Sequence, residues 1–167
     1  MGTPTPEGTR LDRFFGKHEY TLDAQRRVTL PRGWRQDAPE ANAFVLMAGP
    51  YRSLQLIPED LFGELLRNVH PKLQFEDRSD YLTLGSIGEN AEKLGCDKQG
   101  RLALSQSLLE YAGIKDRLLL IGAIERIQVW EPSGWEAYRM KPEQWLDAFL
   151  AIEKRSGDAG AASRAGI

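Results

Sequence analysis

Two short segments of the chain place an aspartate and an arginine at the same spacing. They are Asp23-Ala-Gln-Arg-Arg27 and Asp97-Lys-Gln-Gly-Arg101. An aspartate that opens a tight turn can accept backbone N–H groups from the next residues, and an arginine four residues later can lie alongside its carboxylate. A guanidinium held in one direction recognises phosphate well, because it is planar, permanently charged and offers paired donors. The pattern indicates anion recognition. The alternative is a weak surface pair that only pins a hairpin.

The two motifs belong to a longer internal repeat. The constant offset that lays Asp23 over Asp97 also lays, with no gap, Phe44-Val-Leu-Met over Leu118-Leu-Leu-Ile, Arg52 over Arg126 and Pro58 over Pro132. A copy as short as residues 18–62 cannot bury a complete core of its own. The two halves are therefore predicted to share one core about a pseudo-twofold axis.

The hydrophobic pattern predicts an α+β fold, mainly β. Each copy reads as a strand, the charged turn, a second strand, a short helix, two further strands and a helix that opens at a proline. The predicted organisation is a flexible N-terminal extension (1–12), a first repeat (13–70), a connecting segment (71–88), a second repeat (89–140), an amphipathic C-terminal helix (141–155) and a flexible tail (156–167).

Composition excludes several classes of protein. No apolar stretch approaches the roughly 20 residues of a membrane span, so we expect no membrane partner and a cytoplasmic location. The single cysteine, Cys96, and two distant histidines make a poor set of metal ligands, so we expect no metal, cofactor or disulfide.

Charge is unevenly distributed along the chain. The net charge is −2, yet residues 10–35 hold seven Arg or Lys against three acids, whereas residues 36–92 hold four against ten. A basic face on an acidic body suits a protein that meets an anion such as nucleic acid on one side. A merely solvated basic surface is the alternative interpretation.

Two functions of other classes fit parts of the pattern. A hydrolase could share a proton between Asp23 and Asp97 across the pseudo-twofold axis. That chemistry needs bare carboxylates, and Arg27 and Arg101 are spaced to neutralise them, so we disfavour an enzyme. A ring-forming scaffold without a nucleic-acid role would instead use tryptophans as interface area, and it would bind its own upstream DNA no better than scrambled duplex.

Several segments together resemble the MraZ family of transcriptional regulators. The resemblance rests on Phe15-Gly-Lys-His-Glu-Tyr-Thr-Leu-Asp23, Arg27-Val-Thr-Leu-Pro31, the second charged motif, Glu110-Tyr-Ala-Gly113 and Ile127-Gln-Val-Trp130. It implies two tandem AbrB/MazE-like units that form swapped-hairpin β-barrels decorated with short helices. It also implies rings of about eight subunits in the nucleoid, which bind direct repeats in double-stranded DNA upstream of a division and cell wall gene cluster.

The resemblance also assigns roles to residues. Arg27 matches the family's DNA-contacting arginine and Asp23 its orienting partner, while Arg101 and Asp97 match the second motif. Gln25-Arg26 replaces the usual Lys-Gly, so a turn glycine is lost, and a side chain at position 26 disfavours the same backbone turn. We expect Gln25 and Arg26 beside Arg27 at the bases, and phosphate contacts from Lys17, Arg32 and Arg35. Because Arg26 lies within the first motif and Arg32 and Arg35 follow it closely in sequence, its surroundings are expected to be the more basic.

Overall fold

The computed structural model describes residues 10–164, with side chains described as far as residue 155. Its strands are β1 (Lys17–Thr21), β2 (Arg27–Thr29), β3 (Ala43–Ala48), β4 (Leu54–Pro58), β5 (Glu92–Gly95), β6 (Arg101–Ala103), β7 (Arg117–Ala123) and β8 (Arg126–Trp130). Its α-helices are α1 (Glu59–Val69), α2 (Arg78–Asn90), α3 (Gln106–Tyr111), α4 (Pro132–Tyr138) and α5 (Pro142–Arg164). The predicted α+β class is confirmed.

Strands of the two repeats interleave in one antiparallel sheet, in the order β1-β7-β8-β4-β3-β5. The remaining strands, β2 and β6, pair with each other as a separate two-stranded ribbon. The first hairpin of each repeat therefore contributes its first arm to the sheet. Strand β1 pairs with β7 and strand β5 pairs with β3, and in both cases the partner strand belongs to the opposite repeat. This is the exchange of hairpins that the resemblance implied.

The expected closed barrels are not formed. Among the described strands, β1 and β5 are the two edges of an open sheet, and no ladder joins either edge to the ribbon. The sheet stays open because the second arm of each hairpin lies outside it and finds its only ladder partner in the second arm of the other repeat.

The register of the ribbon locates the pseudo-twofold axis. Val28 lies directly opposite Leu102, the residue that the repeat alignment makes its equivalent. A residue that pairs with its own counterpart must lie next to the axis, so the axis passes through the middle of the ribbon.

The register of the later hairpins corrects the alignment of the repeats. Ala48 pairs with Leu54. Its equivalent Gly122 pairs with Ile127, whereas a constant offset would require Gln128. The second hairpin is therefore one residue shorter than the first. The gapless pairing of Arg52 with Arg126 and of Pro58 with Pro132 is wrong by one position.

The two repeats pack around a common core. Phe14, Leu30 and Leu46 from the first repeat and Leu104 and Leu118 from the second are all 2% exposed or less and belong to one cluster. The ribbon lies on this cluster through Val28 and Leu102, which are 2% and 0% exposed. Burial of both repeats against the same side chains fixes where the ribbon and its two turns lie.

The C-terminal part forms a second compact unit, from Trp135 onward, while the strands of both repeats lie within the first unit, which ends at Gly134. In the second unit α5 continues to Arg164, so the helix extends beyond the predicted boundary at residue 155. Residues 1–9 of the predicted N-terminal extension and residues 165–167 of the predicted tail lie outside the described residues. None of the described helices combines the length and the apolar character that a membrane crossing requires.

Candidate nucleic-acid interface

The outer face of the β2–β6 ribbon is the surface that brings the two predicted arginines together. Val28 and Leu102 point into the core, so the alternate residues Arg27, Thr29 and Arg101 point outward. Arg27 is opposite Ala103, two residues from Arg101, and diagonal neighbours of this kind lie about 7–8 Å apart. Two arginines related by the pseudo-twofold axis thus share one solvent-facing surface.

In the first turn, local hydrogen bonds fix the direction of Arg27. Asp23 Oδ1 accepts the backbone N–H groups of Gln25 and Arg27, each at 2.9 Å. Arg27 Nε donates to Asp23 Oδ2 at 2.7 Å, and Arg27 Nη2 donates to Gln25 Oε1 at 3.0 Å. The carboxylate therefore organises the turn with one oxygen and orients the guanidinium with the other.

The second turn repeats this network. Asp97 Oδ1 accepts the N–H groups of Gln99 and Arg101 at 2.9 Å, and Arg101 Nε donates to Asp97 Oδ2 at 2.8 Å. Within the described part of the chain, the terminal nitrogens of Arg101 have no hydrogen-bond acceptor. They are the donors that a ligand could engage.

Both aspartates are held in the ionised form. The pKa of Asp23 is lowered, first by the hydrogen bond from the backbone N–H of Arg27 and further by the Arg27 side chain and the N–H of Gln25, against an opposing effect of desolvation. The pKa of Asp97 is lowered by the equivalent groups of Arg101 and Gln99. Each carboxylate can therefore orient its arginine at any pH near neutrality.

The two arginines remain accessible from solvent. Their side chains are 28% exposed for Arg27 and 32% for Arg101, so neither is enclosed in the core. Each uses its Nε atom to meet its aspartate, so the terminal nitrogens lie at the outer end of the guanidinium, where Arg27 Nη2 also donates to Gln25. This geometry suits bidentate recognition of an acceptor pair.

Arg26 keeps the turn despite the missing glycine. Its φ is 59°, close to the 75° of Gly100 at the equivalent position of the second turn. In both turns this residue donates its N–H to the aspartate carbonyl, at 2.9 Å for Arg26 and 3.0 Å for Gly100. A side chain in this left-handed region costs about 1 kcal/mol, which the surrounding hydrogen bonds offset.

The turns lie at opposite ends of the ribbon. The N–H of Leu104 donates to the carbonyl of Arg26, and the N–H of Leu30 donates to the carbonyl of Gly100. Arg26 therefore sits beside the end of β6, and Gly100 beside the end of β2. Because the carboxylates of Asp23 and Asp97 are at different ends and each is tied to its own arginine, the proton sharing of the hydrolase interpretation has no geometric basis.

Arg35 is not at the first turn, where sequence proximity suggested it. Its Nε donates to the carbonyl of Leu30 at 2.7 Å, and its guanidinium lies against Gly100. Arg32 begins the first 3-10 turn after β2 and so lies just beyond the same end of the ribbon. The expectation that the first turn has the more basic surroundings is therefore wrong, because the fold carries these residues to the second turn.

Two further positions change the predicted set. Lys17 is exposed at the start of β1, and at the usual rise of a strand it lies about 13 Å from Thr21, the last residue of β1 before the first turn, so it is not brought to the first motif. Lys98 is exposed within the second turn, between Asp97 and Gln99, and was missed. The sequence carried a signal for Lys98, because the repeat alignment places it inside the second charged turn, opposite Ala24 of the first.

Known proteins are similar to this chain over most of its length. Residues 88–148 match a family model described as "MraZ protein, putative antitoxin-like". A protein named transcriptional regulator MraZ in Acetivibrio thermocellus is 30% identical over 75% of this chain and 85% of the relative. Those of Cutibacterium acnes and Clostridium acetobutylicum are 30% and 28% identical, over 78% and 86% of this chain and 90% and 96% of the relatives. The chain belongs to the MraZ family.

Membership of the MraZ family confirms the resemblance found in the sequence. The relatives are named as regulators of transcription and not as enzymes, which confirms the prediction of a non-enzymatic protein. Among the described residues no group of three or more His, Cys, Asp or Glu side chains could hold a metal ion.

Proposed function

We propose that this protein is a DNA-binding transcriptional regulator that reads double-stranded DNA with the outer face of the β2–β6 ribbon. The observation that supports the proposal most directly is the pair of outward arginines, Arg27 and Arg101, each oriented by an ionised aspartate. A two-stranded ribbon has the width that the B-DNA major groove, about 12 Å across, admits. The names of the relatives point to the same activity.

The proposed roles follow the geometry of each side chain. Arg27 and Arg101 meet base edges, where a guanidinium can bind guanine O6 and N7 together. Gln25 supports Arg27 through its hydrogen bond to Nη2 and is close enough to share in base contacts. Arg26, Arg32 and Lys98 are exposed and contact phosphates, which position the ribbon without reading sequence. Lys17 contacts the DNA backbone only where the duplex extends past the ribbon.

We further propose that the protein acts as a homo-oligomeric ring of about eight subunits on direct repeats upstream of a division and cell wall gene cluster, in the nucleoid. One ribbon offers few contacts, and linking several identical ribbons multiplies affinity through effective concentration. Large apolar side chains that are exposed on the first unit support self-association, because contact with another subunit would remove them from water. They include Leu66, Val69, Phe75, Tyr81 and Leu82, which are 45% to 67% exposed.

A titration by fluorescence anisotropy tests the proposal. The full chain is titrated against duplex from directly upstream of its own gene and against a scrambled duplex of the same composition, at several salt concentrations. Tighter binding to the upstream duplex, with log affinity falling linearly with log salt, is the expected result. Equal affinity for the two duplexes, in a protein that light scattering shows to be a large assembly, would instead favour the scaffold function.

A further inference from the structure

Two backbone carbonyls on the ribbon are equivalent under the pseudo-twofold axis, and each receives a guanidinium. Leu30 and Leu104 are equivalent in the repeat alignment and occupy the same place after β2 and β6. The carbonyl of Leu104 accepts a long hydrogen bond from Arg26 Nε at 3.4 Å. The carbonyl of Leu30 accepts one from Arg35 Nε at 2.7 Å. Arg26 and Arg35 are not equivalent in the repeat, yet they place the same group at the same position.

Gly100 explains why the second turn uses a distant residue. A Cβ atom at Gly100 would lie 2.2 Å from Arg35 Cζ and 2.4 Å from its Nε, so a side chain here and the present position of Arg35 exclude each other. In the first turn the equivalent residue is Arg26, whose own side chain reaches the equivalent carbonyl. Each end of the ribbon therefore has room for one carbonyl-bound guanidinium, which comes either from the turn or from outside it.

These two arginines differ electrostatically from Arg27 and Arg101. Arg27 and Arg101 are paired with carboxylates, so each pair has no net charge and serves mainly to orient its donors. Arg26 and Arg35 are anchored on neutral carbonyls, so each retains its full positive charge. A carbonyl anchor fixes the direction of the guanidinium and leaves its charge available to an anion.

We propose that Arg35 is the carbonyl-anchored arginine that binds phosphate at the second turn, beside Lys98, and so is the functional counterpart of Arg26 in the first. The ribbon then carries at each end one neutralised arginine that reads bases and one charged arginine that binds the DNA backbone. This inference rests on the proposed DNA binding and identifies two oriented side chains, Arg26 and Arg35, that contribute to its salt-dependent part. Arg35 acts across the repeats, from the first copy onto the turn of the second.

The test combines three variants with the salt dependence of DNA binding. Arg35→Ala should make the slope of log affinity against log salt shallower by about 0.9 for each engaged subunit. Arg35→Gln retains a donor for the Leu30 carbonyl without the charge, so it should lose the same slope while it melts close to the wild-type temperature. The double variant Arg35→Ala/Gly100→Arg should recover the slope, because the new side chain takes the position that Arg26 occupies in the first turn.

Arg52 supplies a matched control. It is exposed, has a φ of 61° and donates its Nε to the carbonyl of Tyr111 at 3.0 Å, but it lies in the β3–β4 hairpin and not on the ribbon. Arg52→Ala should leave the salt slope unchanged. The melting temperatures of all variants separate folding from binding, and Gly100→Arg should lower the melting temperature more in the wild type than in Arg35→Ala.

The outcomes separate this inference from the proposed function. If the wild type shows salt-dependent binding and Arg35→Gln keeps the full slope, Arg35 is a structural residue and the inference is overturned while DNA binding stands. The inference would also be overturned if the double variant Arg35→Ala/Gly100→Arg failed to recover the slope. An arginine at position 100 would then be unable to replace Arg35. If the wild type binds neither upstream nor scrambled duplex, the proposed function itself fails and the inference fails with it.

Discussion

The two charged turns have the same backbone network but obtain their second arginine in different ways. In the first turn Arg26 supplies it from the left-handed position of the turn itself, at the cost of an unfavourable φ. In the second turn Gly100 takes that position without strain, and Arg35 reaches in from the other repeat. The comparison teaches that fused repeats can diverge residue by residue and still present matched surfaces, because a shared core lets one copy complete the other.

The largest effect should come from removing either base-reading arginine. We expect Arg27→Ala to abolish preference for the upstream duplex, and Arg101→Ala to cost a comparable amount, because both occupy equivalent places in the ribbon and the second turn is also basic. Each lost bidentate contact is worth about 1–3 kcal/mol per subunit. Anisotropy with upstream and scrambled duplexes measures the loss, and light scattering should show the oligomer intact. If Arg101→Ala kept the wild-type preference for the upstream duplex, the two turns would contribute unequally to DNA recognition.

A smaller and different change should follow from neutralising the orienting aspartates. Asn at position 23 or 97 keeps an oxygen for the backbone N–H groups but ends the ion pair with the arginine. The freed guanidinium adds a net charge while it loses its fixed direction. Asp23→Asn and Asp97→Asn should each steepen the salt slope and lower the ratio of upstream to scrambled affinity. If the salt slope became steeper in one variant and shallower in the other, the two turns would not be equivalent.

The contributions of Asp23 and Asp97 to the stability of the fold should be lost over the same acidic pH range. Both aspartates have folded pKa values below the ordinary value, so their contribution to stability is complete above the unfolded pKa, about 3.9, and is lost as the pH falls through the folded pKa. Melting curves of the wild type and of Asp23→Asn/Asp97→Asn should differ by a constant amount above about pH 5 and converge below the folded pKa values. A difference that grows as the pH falls would mean that the shifts have the opposite sign.

The smallest effect concerns the residue at the left-handed position. Arg26→Gly should raise the free energy of unfolding by up to about 1 kcal/mol, because glycine adopts this φ without strain and the lost hydrogen bond to Leu104 is long. The same variant should make the salt slope shallower by about 0.9 per engaged subunit. Urea denaturation measures the first quantity and DNA titration the second. Reduced stability would show that the bond to Leu104 contributes more than its length suggests.

Local chemistry was predictable from the sequence because it depends on residues only a few positions apart. The turn at Asp23 and the turn at Asp97 each form between an aspartate and the arginine four positions later, and the order of strands and helices follows from short periodic patterns closed by Pro and Gly. The resemblance to the MraZ family rested on the same short segments. These features were correct to within a few residues, apart from the end of the C-terminal helix.

Only the tertiary structure decided how these pieces meet. The antiparallel pairing of β2 with β6 places the two turns at opposite ends of one ribbon, and it carries Arg35 away from the turn nearest in sequence to the turn of the other repeat. The open sheet and the one-residue difference between the hairpins were likewise settled by strand pairing. The physical reason is that a short turn is stabilised by its own hydrogen bonds, whereas contacts between the repeats depend on how both halves bury their apolar faces in the same core.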